Sequence, residues 1–104
     1  MTLRQKQSKF ISMLGALIHY ADQLGYELTG GDLWAKKGEG RPHKIGVLEG
    51  EKDSKHYQRL AIDLNLFIDG KYQKSSRAHR PLGLFWESMG GTWGGLKDGN
   101  HYEY

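Results

Sequence analysis

Residues 60–67, continued by Ile68, alternate between two kinds of side chain, and this period of two is the strongest constraint on the fold. One set is apolar throughout and the other carries polar groups. The first set is Leu60, Ile62, Leu64, Leu66 and Ile68, and the second is Ala61, Asp63, Asn65 and Phe67. Because successive side chains of a β-strand point to opposite faces, the pattern predicts a strand with one apolar face in the core and Asp63 pointing away from it.

A second period, of three to four residues, marks the N-terminal part of the chain. The apolar residues that repeat with this spacing are Phe10, Met13, Leu14, Leu17, Ile18, Ala21 and Leu24. Such spacing predicts an amphipathic helix over residues 3–24. Thr2 and Gln5 fit a capping box at its start, and Gly25 stands where the helix would end.

Further strands are predicted on both sides of the main strand. Residues 26–29 alternate like a short strand, and the dipeptide Asp69-Gly70 is a hairpin turn signal. The C-terminal residues 101–104 predict another short strand. We expect this last strand to bring His101 beside Asp63.

The rest of the chain predicts a second helix and a long loop. Residues 76–89 carry an apolar stripe with helical spacing, and Pro81 is tolerated in the first turn of such a helix. Residues 36–53 carry charge, Gly and Pro without periodicity, which predicts a loop bordering a substrate cleft. We therefore expect a single α+β domain, residues 1–104, in which a small antiparallel sheet packs with two to three helices.

Composition narrows the classes of function. The chain has 104 residues and a formal net charge of +3, but its twelve acids are interspersed with fifteen Lys and Arg, and no long basic run with alternating aromatics occurs. We therefore expect no nucleic-acid partner. The absence of cysteine excludes disulfides and thiolate ligands, so any metal site must use His and carboxylate groups.

Two separated segments can supply such a site. The first contains His56 and Asp63, and the second contains Asp98 and His101. Catalytic zinc sites use three protein ligands and leave the fourth position for water, so two imidazoles, one carboxylate and a spare acid are a suitable inventory. Simpler interpretations exist as well: an Asp in a strand is often only hydrogen-bonded, and Asp98-Gly99 is a common turn signal.

The pattern Ser-x-His, Ala-x-Asp and Asp-x-x-His, formed by Ser54 to Asp63 and by Asp98 to His101, resembles the zinc D-Ala-D-Ala carboxypeptidases and dipeptidases. That family includes phage L-alanyl-D-glutamate endopeptidases, and the flanking segments are similar to its small phage and prophage members. The resemblance implies a fold like that of Hedgehog domains and DD-peptidases, with zinc in a cleft on the sheet. It implies that His56, Asp63 and His101 bind Zn²⁺, with Asp98 as general base and acid.

The resemblance also suggests substrate contacts. Ser54 is expected in the substrate pocket, and Trp93, beside paired glycines, is a candidate for contacting a peptide. Many relatives carry an arginine after the early strand that polarises the scissile carbonyl, whereas this chain has Ala35 there. Lys36, Lys37 or Arg41 could take its place, although a lysine is a point charge without the planar fork of arginine.

The function that we expect is a zinc metallopeptidase that hydrolyses a bond of the peptidoglycan stem peptide, for phage-mediated lysis of the cell wall. The bond is either L-Ala-D-Glu or the terminal D-Ala-D-Ala. A different class is a catalytically weak, zinc-stabilised module that binds wall peptide or a protein. The polar N-terminus predicts neither a signal peptide nor membrane insertion, so we expect the chain to stay in the host cytoplasm until it is released to the wall. A monomer is the default expectation for its oligomeric state.

Overall fold

The computed structural model of the chain describes residues 1–31 and 58–104. Its elements are the helix α1 (Leu3–Gln23), the strands β1 (Tyr26–Gly30), β2 (Ala61–Ile68) and β3 (Lys71–Tyr72), a 3₁₀ turn (Ser76–His79), the helix α2 (Arg80–Ser88), β4 (Thr92–Trp93), a second 3₁₀ turn (Gly95–Lys97) and β5 (His101–Glu103). The predicted α+β class is thus confirmed, with a small antiparallel sheet and two helices. The predicted loop over residues 36–53 lies outside the described residues.

The sheet is antiparallel and has β2 at its centre. Four strands follow the order β1-β2-β5-β4, and β3 also pairs with β2. β1 runs along one edge of β2, while β5 and β3 share the other edge, at Ala61–Asp63 and Phe67–Ile68. Asp69 and Gly70 both have positive φ, as the predicted hairpin turn requires. β5 thus lies beside the first half of β2, the part of that strand that carries Asp63.

The core lies between α1, α2 and one face of the sheet. Trp86 of α2 is fully buried and makes edge-to-face contacts with Phe10 of α1 and Tyr102 of β5. The apolar face of β2 supplies Leu64 and Leu66, both buried, as its period of two predicted. The core therefore fixes which face of β2 and β5 is turned away from the helices.

The two helices begin as their sequences require. The predicted capping box of α1 is present, since the Thr2 hydroxyl accepts from the Gln5 amide and the Gln5 side chain accepts from Thr2. The helix predicted over residues 76–89 is split into a 3₁₀ turn and α2. Pro81 has no N–H to donate to the carbonyl four residues earlier, so the preceding turn is wound more tightly.

Within residues 1–31 and 58–104, no helix has the length and the hydropathy needed to cross a membrane.

Candidate active site

The pairing of β2 with β5 places the two described metal-ligand candidates opposite each other. Asp63 is the direct cross-strand partner of His101, and the next pair along the ladder is Ile62 with Tyr102. Side chains that are directly opposite in an antiparallel pair lie on the same face of the sheet. Because Ile62 and Tyr102 are buried in the core, Asp63 and His101 lie on the opposite face, and the predicted approach of His101 to Asp63 is confirmed.

The imidazole of His101 lies between two carboxylates. Its Nδ1 is 3.1 Å from Oδ1 of Asp63, and its Nε2 is 2.7 Å from Oε1 of Glu103. The side chains of His101, Asp63 and Glu103 are 18%, 24% and 30% exposed. The ring is therefore held at both nitrogens while remaining within reach of solvent and of a ligand.

These neighbours determine the charge of the imidazole. The hydrogen bond with Asp63, the hydrogen bond with Glu103 and the negative charges of both raise the pKa of His101 to about 9, although partial burial acts in the opposite direction. In the metal-free chain at neutral pH the ring is an imidazolium that donates from both nitrogens. A metal ion that bound the ring through Nδ1 would have to displace the proton from that atom.

The donor set fits one side of a zinc site. Asp63 and His101 bring a carboxylate oxygen and an imidazole nitrogen together, and these are ligand types that zinc accepts. In the described part of the chain, no group of three or more His, Cys, Asp or Glu side chains could hold a metal ion. Glu103 does not complete such a group because it bonds the opposite nitrogen of the ring. The third predicted ligand, His56, lies outside the described residues.

Asp98 stands on a tight turn just before β5. Its carbonyl accepts from the amide of His101 at 3.0 Å, and its own amide donates to the carbonyl of Gly95 at 3.3 Å. Its side chain is exposed. The turn signal in Asp98-Gly99 is thus confirmed, and the turn ties the backbone of Asp98 directly to that of His101.

Two side chains hold this turn from either side. The indole N–H of Trp93 donates to the carbonyl of Gly99 at 2.7 Å, and the amide of Gly99 donates to the hydroxyl of Ser76 at 2.9 Å. A Cβ atom at position 99 would lie only 2.5 Å from the Cα of Ser76. Only glycine fits this close approach, so the Asp98-Gly99 turn is fixed by its surroundings.

Comparison with known proteins supports a peptidase. A family model described as D-alanyl-D-alanine carboxypeptidase matches residues 49–104, which is more than half of the chain and includes all of β2 and β5. The chain belongs to this peptidase family. Neither the curated proteins nor the solved structures gave a match.

The matched region contains most of the predicted site of this carboxypeptidase family member. Asp63, Asp98, His101 and Trp93 all lie in its described part. Ser54 and His56 are inside the match but outside the described residues. Arg41, Ala35 and the two lysines after it are outside both. The roles assigned to all these residues stay predictions.

Trp93 has structural contacts that its sequence context did not reveal. Besides the bond to Gly99, its ring packs against Gly83 of α2, where a Cβ atom would lie 2.1 Å from a ring carbon. Trp93 thus links α2 to the turn that carries Asp98. Its ring is only partly buried, and its predicted contact with substrate stays a prediction.

A polar cavity of about 160 Å³ opens beside Asp98. Its lining includes Lys74, Ser76, His79, Lys97, Asp98 and Asn100. His79 is only 3% exposed; burial lowers its pKa, and its Nδ1 shares a 2.8 Å hydrogen bond with the hydroxyl of Tyr102. His79 thus bonds the side chain of Tyr102, the core-facing neighbour of His101 on β5.

Sequence reasoning missed Glu103 and Ser76. Glu103 follows His101 by two residues in a predicted strand, so the period of two already placed both side chains on one face. The alternation of the predicted strand could therefore have identified Glu103 as a neighbour of His101. The contact of Ser76 with Gly99 joins residues 23 positions apart, and no local pattern indicates it.

Proposed function

We propose that the chain is a zinc-dependent peptidase that hydrolyses a bond in the stem peptide of peptidoglycan. The observation that carries the proposal is the pairing of Asp63 with His101 across β2 and β5, inside the region that matches the carboxypeptidase family. Three residues before His101, Asp98 supplies a solvent-exposed carboxylate on a fixed turn. The antiparallel sheet is consistent with a DD-peptidase-like or Hedgehog-like fold.

We assign the metal to His56, Asp63 and His101. Two of these are held together by the strand register, and the outward face of the sheet leaves them partly exposed. When bound, zinc supplies Lewis acidity, which lowers the pKa of water and polarises a carbonyl.

Asp98 is the proposed general base and acid. A carboxylate accepts the proton of the attacking water and returns it to the leaving amine. Amide hydrolysis requires this general base and general acid catalysis. The turn that holds Asp98 is bonded to His101, Ser76 and Trp93, so its backbone is fixed relative to the strand that carries the proposed ligand. Fixed placement of this kind is how a protein lowers the entropic part of a barrier.

The cavity beside Asp98 supports an anionic peptide as substrate. Lys74 and Lys97 are exposed on its lining, and stem peptides carry free carboxylates. Opposite charges at the mouth of a cleft favour approach of such a substrate. Ser54, Arg41 and Trp93 are the further contacts that we propose.

We propose that the enzyme serves phage-mediated lysis, acts as a monomer and stays in the host cytoplasm until it reaches the wall.

The test of the enzymatic function is mass spectrometry of purified peptidoglycan fragments after incubation with the zinc-loaded protein. Asp98→Asn, which keeps the size of the side chain, is the matched control. We expect new termini with the intact protein alone, and their identity distinguishes cleavage at L-Ala-D-Glu from cleavage at D-Ala-D-Ala.

Unchanged fragments from a zinc-loaded, folded protein would contradict a peptidase. If the same protein bound the fragments without cutting them, the zinc-stabilised binding module would be favoured instead. Equal cleavage by Asp98→Asn would remove Asp98 from the reaction.

A further inference from the structure

The second carboxylate of the site, that of Glu103, has no part in the proposed reaction. Its Oε1 accepts from Nε2 of His101 at 2.7 Å, whereas Asp63 lies at 3.1 Å from the other nitrogen. Charge-assisted hydrogen bonds of about 2.7–2.9 Å are the strong ones. Of these two hydrogen bonds, the shorter is thus made with a residue that is not among the predicted ligands.

The backbone that carries Glu103 is fixed on both sides. Glu103 pairs with Ala61 of β2 and with Thr92 of β4, so β5 has a neighbouring strand along each edge. Its carbonyl also accepts from the indole N–H of Trp86 at 2.7 Å. The side chain of Glu103 therefore extends from a fixed backbone position. It lies two residues from His101, on the same face of the strand.

The two carboxylates favour different forms of a neutral imidazole. A neutral ring carries one proton, and a metal needs the lone pair of the unprotonated nitrogen. Asp63 alone would favour a proton on Nδ1, the atom that faces it. A carboxylate at Nε2 favours a proton there instead, which frees Nδ1 beside Asp63.

We infer that Glu103 is a positioning residue for the metal site: its carboxylate accepts the Nε2 proton of His101 and so presents Nδ1, next to Asp63, to the metal. This role rests on the proposed zinc site. Glu103 is not itself a ligand of the same ion, since it bonds the nitrogen that points away from Asp63.

The test compares Glu103→Ala and Glu103→Gln with the intact chain and with Glu27→Ala. Glu27 is an exposed glutamate of β1 and serves as the matched strand control. Zinc affinity is measured by competition with a chromophoric chelator, which requires no peptidase activity. We expect Glu103→Ala to weaken zinc binding by about 10–100-fold and Glu103→Gln by less, because an amide oxygen still accepts a hydrogen bond. Glu27→Ala should bind as the intact chain does.

A second readout does not depend on any variant folding. In the zinc-loaded intact chain with ¹⁵N-labelled histidine, we expect His101 to show a protonated Nε2 and a metal-bound Nδ1. A metal-bound Nε2 would overturn the inference. So would zinc affinity within about twofold of the intact chain in both Glu103 variants. Failure of the intact chain to bind zinc would instead overturn the proposed function, so the two failures are distinguishable.

Discussion

The two faces of the β2–β5 strand pair are formed by alternate residues of the same two strands, but different interactions determine each face. On the core face, Ile62 and Tyr102 are buried, and packing dominates there, although the Tyr102 hydroxyl also shares a hydrogen bond with His79. On the other face, Asp63 and His101 are only partly exposed and are joined by a hydrogen bond of defined geometry. Packing thus fixes the register, and the register places the polar pair.

This difference predicts that substitutions on the two faces fail in different ways. A change on the core face should lower the free energy of unfolding while leaving the chemistry of the folded molecules intact. A change on the site face should remove zinc or activity while leaving the fold intact. Four experiments test whether the two faces are separated in this way.

The largest effect is expected from His101→Ala. It removes a proposed zinc ligand, so we expect peptidase activity to fall by more than the roughly 10–100-fold that loss of an outer-shell partner causes. The far-ultraviolet circular dichroism should stay unchanged, because His101 faces away from the core. Activity assays on stem-peptide fragments and zinc content measure the effect. Retained activity would remove His101 from the metal site.

The next largest effect is expected for a substitution on the core face. Leu66 is fully buried on β2, and its neighbour Asn65 lies on the other face, where its amide donates to the hydroxyl of Thr29. We expect Leu66→Ala to cost about 2–5 kcal/mol in urea unfolding, and Asn65→Ala less than about 1 kcal/mol. Zinc affinity per folded molecule should be the same in both. Similar unfolding costs for the two variants would contradict the assignment of the faces.

A smaller effect is expected from Trp93→Phe, which keeps an aromatic ring beside Gly83 but removes the indole N–H that holds Gly99 together with one ring of the indole. Leaving that carbonyl without its donor costs about 1–3 kcal/mol. If Trp93 acts by fixing the turn of Asp98, kcat should fall by about tenfold while KM stays unchanged. A rise in KM at constant kcat would show that Trp93 contacts the substrate instead.

The smallest effect is a pH dependence of the metal-free chain. The hydrogen bond with Asp63, together with that of Glu103, raises the pKa of His101 from 6.5 to about 9 in the folded state. The stabilisation is therefore complete below about pH 6.5 and is lost as the pH rises towards 9. Because one pKa unit corresponds to about 1.4 kcal/mol and water screens the pair, we expect a loss of about 1–2 kcal/mol.

Urea unfolding of the metal-free chain at pH 6 and at pH 9.5 measures this loss. His101→Gln is the control, because it removes the titrating group and leaves the other ionisable groups in place. An identical pH dependence in both chains would contradict the ion pairing of His101.

Much of the fold could be predicted because its signals are local. The alternation around Asp63, the capping box at Thr2 and the Asp69-Gly70 turn each act within a few residues, and the structure confirms all three. The meeting of His101 with Asp63 was predicted together with the C-terminal strand, but spacing alone does not determine it, because the two strands are far apart in the sequence. The support of Gly99 by Ser76 and Trp93 could not be predicted, because it depends on how distant segments pack.

The most direct test of the metal site is the zinc content of the purified chain after dialysis, measured by inductively coupled plasma mass spectrometry beside Asp63→Ala and Glu27→Ala. We expect one zinc ion per chain in the intact protein and in Glu27→Ala, and loss of that zinc in Asp63→Ala. An intact chain without zinc, or an Asp63→Ala variant that keeps it, would contradict a metal site on the outer face of β2 and β5.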